Sequence, residues 1–93
     1  VAVYLEDAPR LIAQLERAAV GNDPIALRVA AHTLKSSSAN VGATTLADAA
    51  RDLETGARDG TLTQPATAVA RIVGEFAQVR AALQAQLAGS GPG

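Results

Sequence analysis

Cysteine, methionine and tryptophan are missing from this chain, and histidine, tyrosine and phenylalanine occur once each. Without thiols there is no disulfide framework and no thiolate metal site, and the composition suits a reducing compartment. A lone histidine with no cysteine also argues against a metal centre, which needs several ligands converging. Two aromatic rings leave almost nothing on which nucleic-acid bases could stack. Neither sign of charge dominates: eight basic and nine acidic residues give a formal net charge of −1, so no broad field draws in nucleic acid or an anionic membrane. No apolar run approaches the roughly 20 residues of a membrane span, and no signal peptide is visible. These absences predict no nucleic-acid partner and no direct membrane contact.

What remains points to one small helical body. A chain of 93 residues cannot divide its core in two. Apolar residues make up 48% of it, but many are alanines, so the core must be thin and closely packed. The opening VAVYLEDAP has no initiator methionine and the closing GSGPG reads as a linker. We expect a piece of a longer, multidomain protein, with a bundle over residues 1–88 and a flexible tail over 89–93.

Apolar residues recur at i, i+3, i+4 and i+7 along every long segment, and sustained strand alternation is absent. In the first segment Val1, Tyr4, Leu5, Ala8, Leu11, Ile12, Leu15, Ala18 and Ala19 form one stripe ending at the GND of 21–23. Pro9 within it predicts a kink. Asp23 before Pro24 is a helix start, because the carboxylate can accept orphan amide bonds and proline needs no donor in the first turn. The second helix should run to about Val41, burying Leu27, Ala30, Ala31, Leu34, Ser38 and Val41, with Gly42 ending it. A third, from about Ala43 to Arg58, buries Leu46, Ala49, Ala50, Leu53 and Ala57. A fourth begins at Thr63 or Gln64 with Pro65 in its first turn, and turns Val69, Ile72, Val73, Phe76, Val79, Leu83 and Leu87 inward. Short connections make the expected fold all-α: an antiparallel up-and-down four-helix bundle.

At about 100° per residue, His32 points roughly 160° away from Leu34, so if the leucine is buried the imidazole faces solvent. Arg28, Val29, Lys35, Ser36 and Ala39 share its direction. An exposed histidine is most often a solvated surface residue. Here, though, two cations that oppose a further charge on the ring could also neutralise a phosphoryl group, and a neutral imidazole is a nucleophile. Ser36, one turn on, is small enough to let a partner surface come close.

The stretch HTLKSSSANVGATTL at 32–46, continuing to DLE at 52–54, resembles the histidine-containing phosphotransfer (HPt) domain of two-component phosphorelays. The likeness is close over residues 28–54, and YLEDAPRLIAQLERAA resembles the first bundle helix of that family. Ser36 departs from the pattern, since the family most often has glycine there. The resemblance implies that His32 accepts a phosphoryl group from the aspartate of one response-regulator receiver domain and passes it to another. It gives Lys35 the task of neutralising phosphate charge and makes Ser36 a small contact with the receiver. Glu54 is implied as a neighbour that orients the ring. Arg28, Val29 and Ala39 would contact the receiver, with Leu5 or Ile12 adding apolar surface. No cofactor of its own is implied, because the receiver supplies Mg²⁺ and the acidic pocket. The expectation extends to a cytoplasmic, monomeric phosphocarrier without an ATP site, cut from a hybrid sensor histidine kinase that is itself free to be membrane-anchored.

Other readings fit less well. A histidine-kinase dimerisation helix usually carries an acidic residue directly after its histidine, where this chain has Thr33. A hydrolase built on Ser36, Ser37 or Ser38 lacks a nucleophile elbow and an oxyanion loop. Asp48, Asp52 and Glu54 read as an acidic helix face, and Arg51, Arg58, Arg71 and Arg80 as scattered surface charge. The alternative that stays open is a non-catalytic helical interaction module or a degenerate HPt domain.

Overall fold

Glycine, proline and one capping carboxylate punctuate the chain into four helices in the computed structural model, which describes residues 1–89: α1 (Ala2–Val20), α2 (Pro24–Asn40), α3 (Thr44–Asp59) and α4 (Pro65–Gly89). The Asp23 side chain accepts a bond from the Ala26 amide at 3.1 Å, with Pro24 in the first turn of α2, as its sequence predicts. Gly42 and Gly60 end α2 and α3 in the left-handed conformation, at φ 79° and 71°, which a side chain would strain. Pro9 lies inside α1, and the helix runs on both sides of it. The Gln64 carbonyl accepts the Ala68 amide at 3.1 Å and so opens α4. Of the expected tail, Gly89 is the last residue of α4, and residues 90–93 lie outside the described residues.

Each helix packs on its sequence neighbour, and α4 closes the ring against α1, while the backbones of the diagonal pairs stay further apart among the described residues. With connections this short, the result is the antiparallel up-and-down bundle expected of the sequence. It is about 50 Å long and 19 by 18 Å across. Ala8, Leu15, Ala31, Leu34, Leu46, Ala50 and Ile72 are completely buried, and the alanines allow the helices to approach closely enough for a thin core to fill. All the inward positions expected of α2 and α3 are buried or half-buried.

The exceptions lie just before α1 and in α4. Val1 is exposed, and Val73 and Leu87 are 41% and 52% exposed where an inward orientation was expected. Arg71, Glu75 and Arg80 are the only charges in the 25 residues of α4, so apolar spacing could not separate its inner from its outer face. At 1.5 Å per residue α4 is also about 37 Å long against about 24 Å for α3, which leaves its last turns with less to pack on. Among the described residues no helix is long and apolar enough to cross a membrane.

Among the described residues one buried side-chain hydrogen bond crosses the core. The hydroxyls of Tyr4 and Ser38 meet at 2.9 Å, joining the start of α1 to the end of α2 as antiparallel neighbours require. Burial raises the Tyr4 phenol above its ordinary value, with the Ser38 bond partly offsetting this. The Tyr4 ring stands edge-on to Phe76 of α4, centroids 6.0 Å apart, and the Arg80 guanidinium covers the outer face of Phe76 at 5.6 Å. Among the described residues no buried side-chain polar atom lacks a partner. Removing the tyrosine hydroxyl strands that of Ser38, at a cost of about 1–3 kcal/mol. Tyr4→Phe should therefore lower the urea midpoint, and adding Ser38→Ala should cost less than the two single changes summed. Strict additivity in that double-mutant cycle would show that the bond contributes nothing.

Candidate functional site

The face of α2 opposite Leu27 and Leu34 carries Ile25, Arg28, Val29, His32, Ser36 and Ala39, all exposed. His32 stands out from it with its side chain 61% exposed. Lys35, one turn later, lies on the edge of α2 that faces α3. From α3 comes Glu54, which follows the buried Leu53 and is therefore held at the mouth of the seam between the two helices, its side chain only 17% exposed.

The Glu54 carboxylate bridges the two residues of α2. One oxygen, Oε2, lies 2.7 Å from His32 Nδ1, and the other, Oε1, accepts from Lys35 Nζ, also at 2.7 Å. The Lys35 hydrogen bond is the main force holding this carboxyl below its ordinary range; partial burial works against it, and the bond to His32 adds to it. An ionised carboxylate only accepts hydrogen bonds, so the ring must carry its hydrogen on Nδ1. In a neutral ring with its hydrogen there, Nε2 keeps its lone pair, and Nε2 makes no hydrogen bond among the described residues. The sequence expectation placed two cations beside the ring; in the structure a carboxylate stands between the ring and one of them.

A shallow depression of about 400 Å³ surrounds the ring, lined by Arg28, Val29, His32, Thr33, Glu54 and Arg58. Arg58, read from the sequence as scattered surface charge, sits one turn after Glu54 and borders this depression. Its spacing of four from Glu54 was the available signal. The arginine also donates from Nε to Asp59 at 2.9 Å. The three consecutive serines go to three different places. Ser36 is exposed and turns its hydroxyl back to the His32 carbonyl at 3.3 Å, Ser37 is half-buried and bonds the Leu34 carbonyl, and Ser38 is in the core.

Ala39 is exposed two turns beyond the ring but does not line the depression. Ile12 is buried and Leu5 half-buried, so the apolar surface expected from α1 is not available there. Apolar surface comes instead from Ile25 and Val29, which line a groove of about 550 Å³ between α1 and α2 with Gln14, Arg17 and Ala26. Ile25 lies four residues before Val29 and seven before His32, a helical spacing that could have flagged it. Of the acidic residues grouped on α3, Asp48 pairs with Arg51 at 3.3 Å and Asp52 approaches Arg71 at 3.9 Å, both exposed. Glu54 alone of the three turns toward α2.

The family model for the Hpt domain matches residues 1–88. Comparison with curated proteins and with solved structures gave no match.

A carboxyl held below its ordinary value when folded contributes stability that is complete above the unfolded value, about pH 4.3, and is lost as the pH falls through the depressed folded one. Glu54→Gln should accordingly unfold at a lower urea concentration than the wild type at pH 7, and the difference should shrink at pH 3. A gap of equal size at both values would show that the charge of Glu54 adds nothing to the fold.

Proposed function

The chain belongs to the Hpt domain family, and on that premise we propose that His32 is the phosphoacceptor, taking a phosphoryl group from the aspartate of one receiver domain and passing it to another. Members of this family are phosphotransfer modules of phosphorelays and interact with receiver domains of response regulators. The observation that carries the proposal is the exposed ring with Nδ1 bound to Glu54 and Nε2 left for an incoming electrophile.

In the forward step the Nε2 lone pair attacks phosphorus in line, the N–P bond forms, and the bond from phosphorus to the aspartyl oxygen breaks with its electrons on the carboxylate. For onward transfer a second receiver aspartate attacks phosphorus, the N–P bond breaks, and its electron pair returns to Nε2. Arg28 and Arg58 border the ring and offer charge to the phosphoryl oxygens, while Lys35 keeps Glu54 ionised and adds charge on the α3 side. Mg²⁺ bound in the receiver would neutralise phosphoryl oxygens from the far side. Next to His32 this chain offers one carboxylate, already engaged by the ring and by Lys35, so that cation falls to the receiver's acidic pocket.

Val29, Ala39 and the α1/α2 groove meet the receiver in this proposal, and Ser36, its hydroxyl turned back on its own helix, lets the receiver loops approach. The domain works as a monomer in the cytoplasm, as one module of a hybrid sensor histidine kinase. The lack of cysteine fits a reducing compartment.

Incubation with phosphorylated receivers tests the central step: label should appear on the domain in an acid-labile, base-stable form, and His32→Gln should abolish it. Equal labelling of the variant, or no transfer from any of several receivers, rejects the proposal. Lys35→Ala should slow transfer by roughly tenfold, the scale of one lost hydrogen bond to a charged group, with helicity by circular dichroism unchanged. Unaltered kinetics would make the lysine a purely structural partner of Glu54.

A further inference from the structure

We infer that the flank of α1 beside the ring, through Arg10 and Arg17, holds the receiver in register on His32 and selects receivers that present an apolar ridge flanked by carboxylates. This rests on the reading of receivers as the partners of the domain. Asp7, Arg10, Gln14 and Arg17 recur at the spacing of one helical face, and all four are exposed. Gln14 and Arg17 line the groove of about 550 Å³ between α1 and α2, which places that face toward α2. The Tyr4–Ser38 bond at one end of the two helices, and the Asp23 amide on the Ala18 carbonyl at the other, fix their antiparallel register. In that register Arg10 lies level with His32 and Arg17 with Ile25, while Asp7 lies level with Lys35.

The apolar part of the surface lies on the N-terminal side of the ring, the direction in which helical side chains lean. Ile25 and Val29 are 67% and 58% exposed there. Val29 lines both the groove and the depression around His32, so the two are continuous. The charge around them is unspent. Among the described residues Arg51, Arg58 and Arg71 pair with carboxylates and Arg80 covers Phe76, whereas Arg10, Arg17 and Arg28 make no ion pair. The carboxylate that lines the groove, Asp23, is turned to the Ala26 amide as the cap of α2. Seven residues of helix separate Arg10 from Arg17 by about 10 Å, so a matching receiver carries two carboxylates at about that distance beside the ridge that covers Ile25 and Val29. A receiver shifted one turn toward the start of α1 would set a carboxylate against Asp7, and that like-charge contact disfavours the wrong register. In-line transfer needs such a fixed position.

Binding of unphosphorylated receiver domains to the ¹⁵N-labelled protein tests this without any phosphoryl transfer. In titrations with a panel of receivers of differing surface charge, amide shifts should concentrate in residues 10–17 and 25–32. At low ionic strength Arg17→Glu should slow association by about tenfold, the lower end of the range for electrostatic steering, and added salt should narrow the gap. Arg10→Glu should act in the same direction. Arg71→Glu, an equal change of net charge placed on α4 away from the groove, should leave the rate unchanged. Shifts that spare the groove, equal rates for Arg17→Glu and the wild type, equal slowing by Arg71→Glu, or binding by no receiver of the panel would each overturn the inference. So would shifts at the groove when the protein alone is concentrated, since these would assign it to a second copy of the chain. Receivers that bind at the groove yet transfer no label to His32 would reject the phosphoacceptor reading and leave this inference standing. Transfer of label with shifts elsewhere would do the reverse.

Discussion

A single carboxylate in the seam between α2 and α3 connects the chemistry of this protein to its fold. Glu54 accepts from His32 on one oxygen and from Lys35 on the other, which sets the tautomer of the ring and leaves its outer nitrogen free. That bridge exists only while α2 and α3 keep their register. Leu34 and Leu53, both buried a position away from the bridging residues, hold that register. Core packing therefore decides which nitrogen of the histidine is bound and which is left open.

The same economy runs through the rest of the bundle. An alanine-rich core gives each helix little apolar area, so the helices must approach closely, and close packing holds the helix that bears His32. The Tyr4–Ser38 bond and the Tyr4–Phe76–Arg80 stack tie α1, α2 and α4 together at the end of the bundle where α2 finishes. A phosphoacceptor ring, as proposed for His32, needs no pocket when the helix that carries it is packed against two neighbours. In the function proposed above the partner is the surface of another protein, and the apolar Ile25 and Val29 near the ring give such a surface something to bury.

Legibility in the sequence varied with the local chemistry. Where apolar and polar faces were cleanly separated, as in α2 and α3, periodicity identified the buried positions. In α4 it failed at Val73 and Leu87, because a helix apolar almost all round has no face that spacing can single out. In α1 the stripe was right about Ile12 being apolar and packed inward, and for that reason wrong in offering it to a partner: one side chain cannot both fill a core and face solvent. Arg58 and Ile25 were overlooked although each lay a whole number of turns from a residue already under suspicion.

What the sequence by itself determined is everything carried by one helix: that His32 stands opposite Leu34, that Arg28, Val29 and Ser36 share its side, and that Asp23 and Gly42 bound the segment. These relations follow from 3.6 residues per turn and from local capping, so they need no knowledge of the other helices. The tertiary structure decided the rest. That Glu54, 22 residues away, meets the ring, that Lys35 turns to the carboxylate, and that Arg58 joins the rim depend on the rotation and register of α3 against α2. Those are set by how Leu34, Leu46, Ala50 and Leu53 interlock across the seam, a many-body packing problem that no spacing within a single helix encodes.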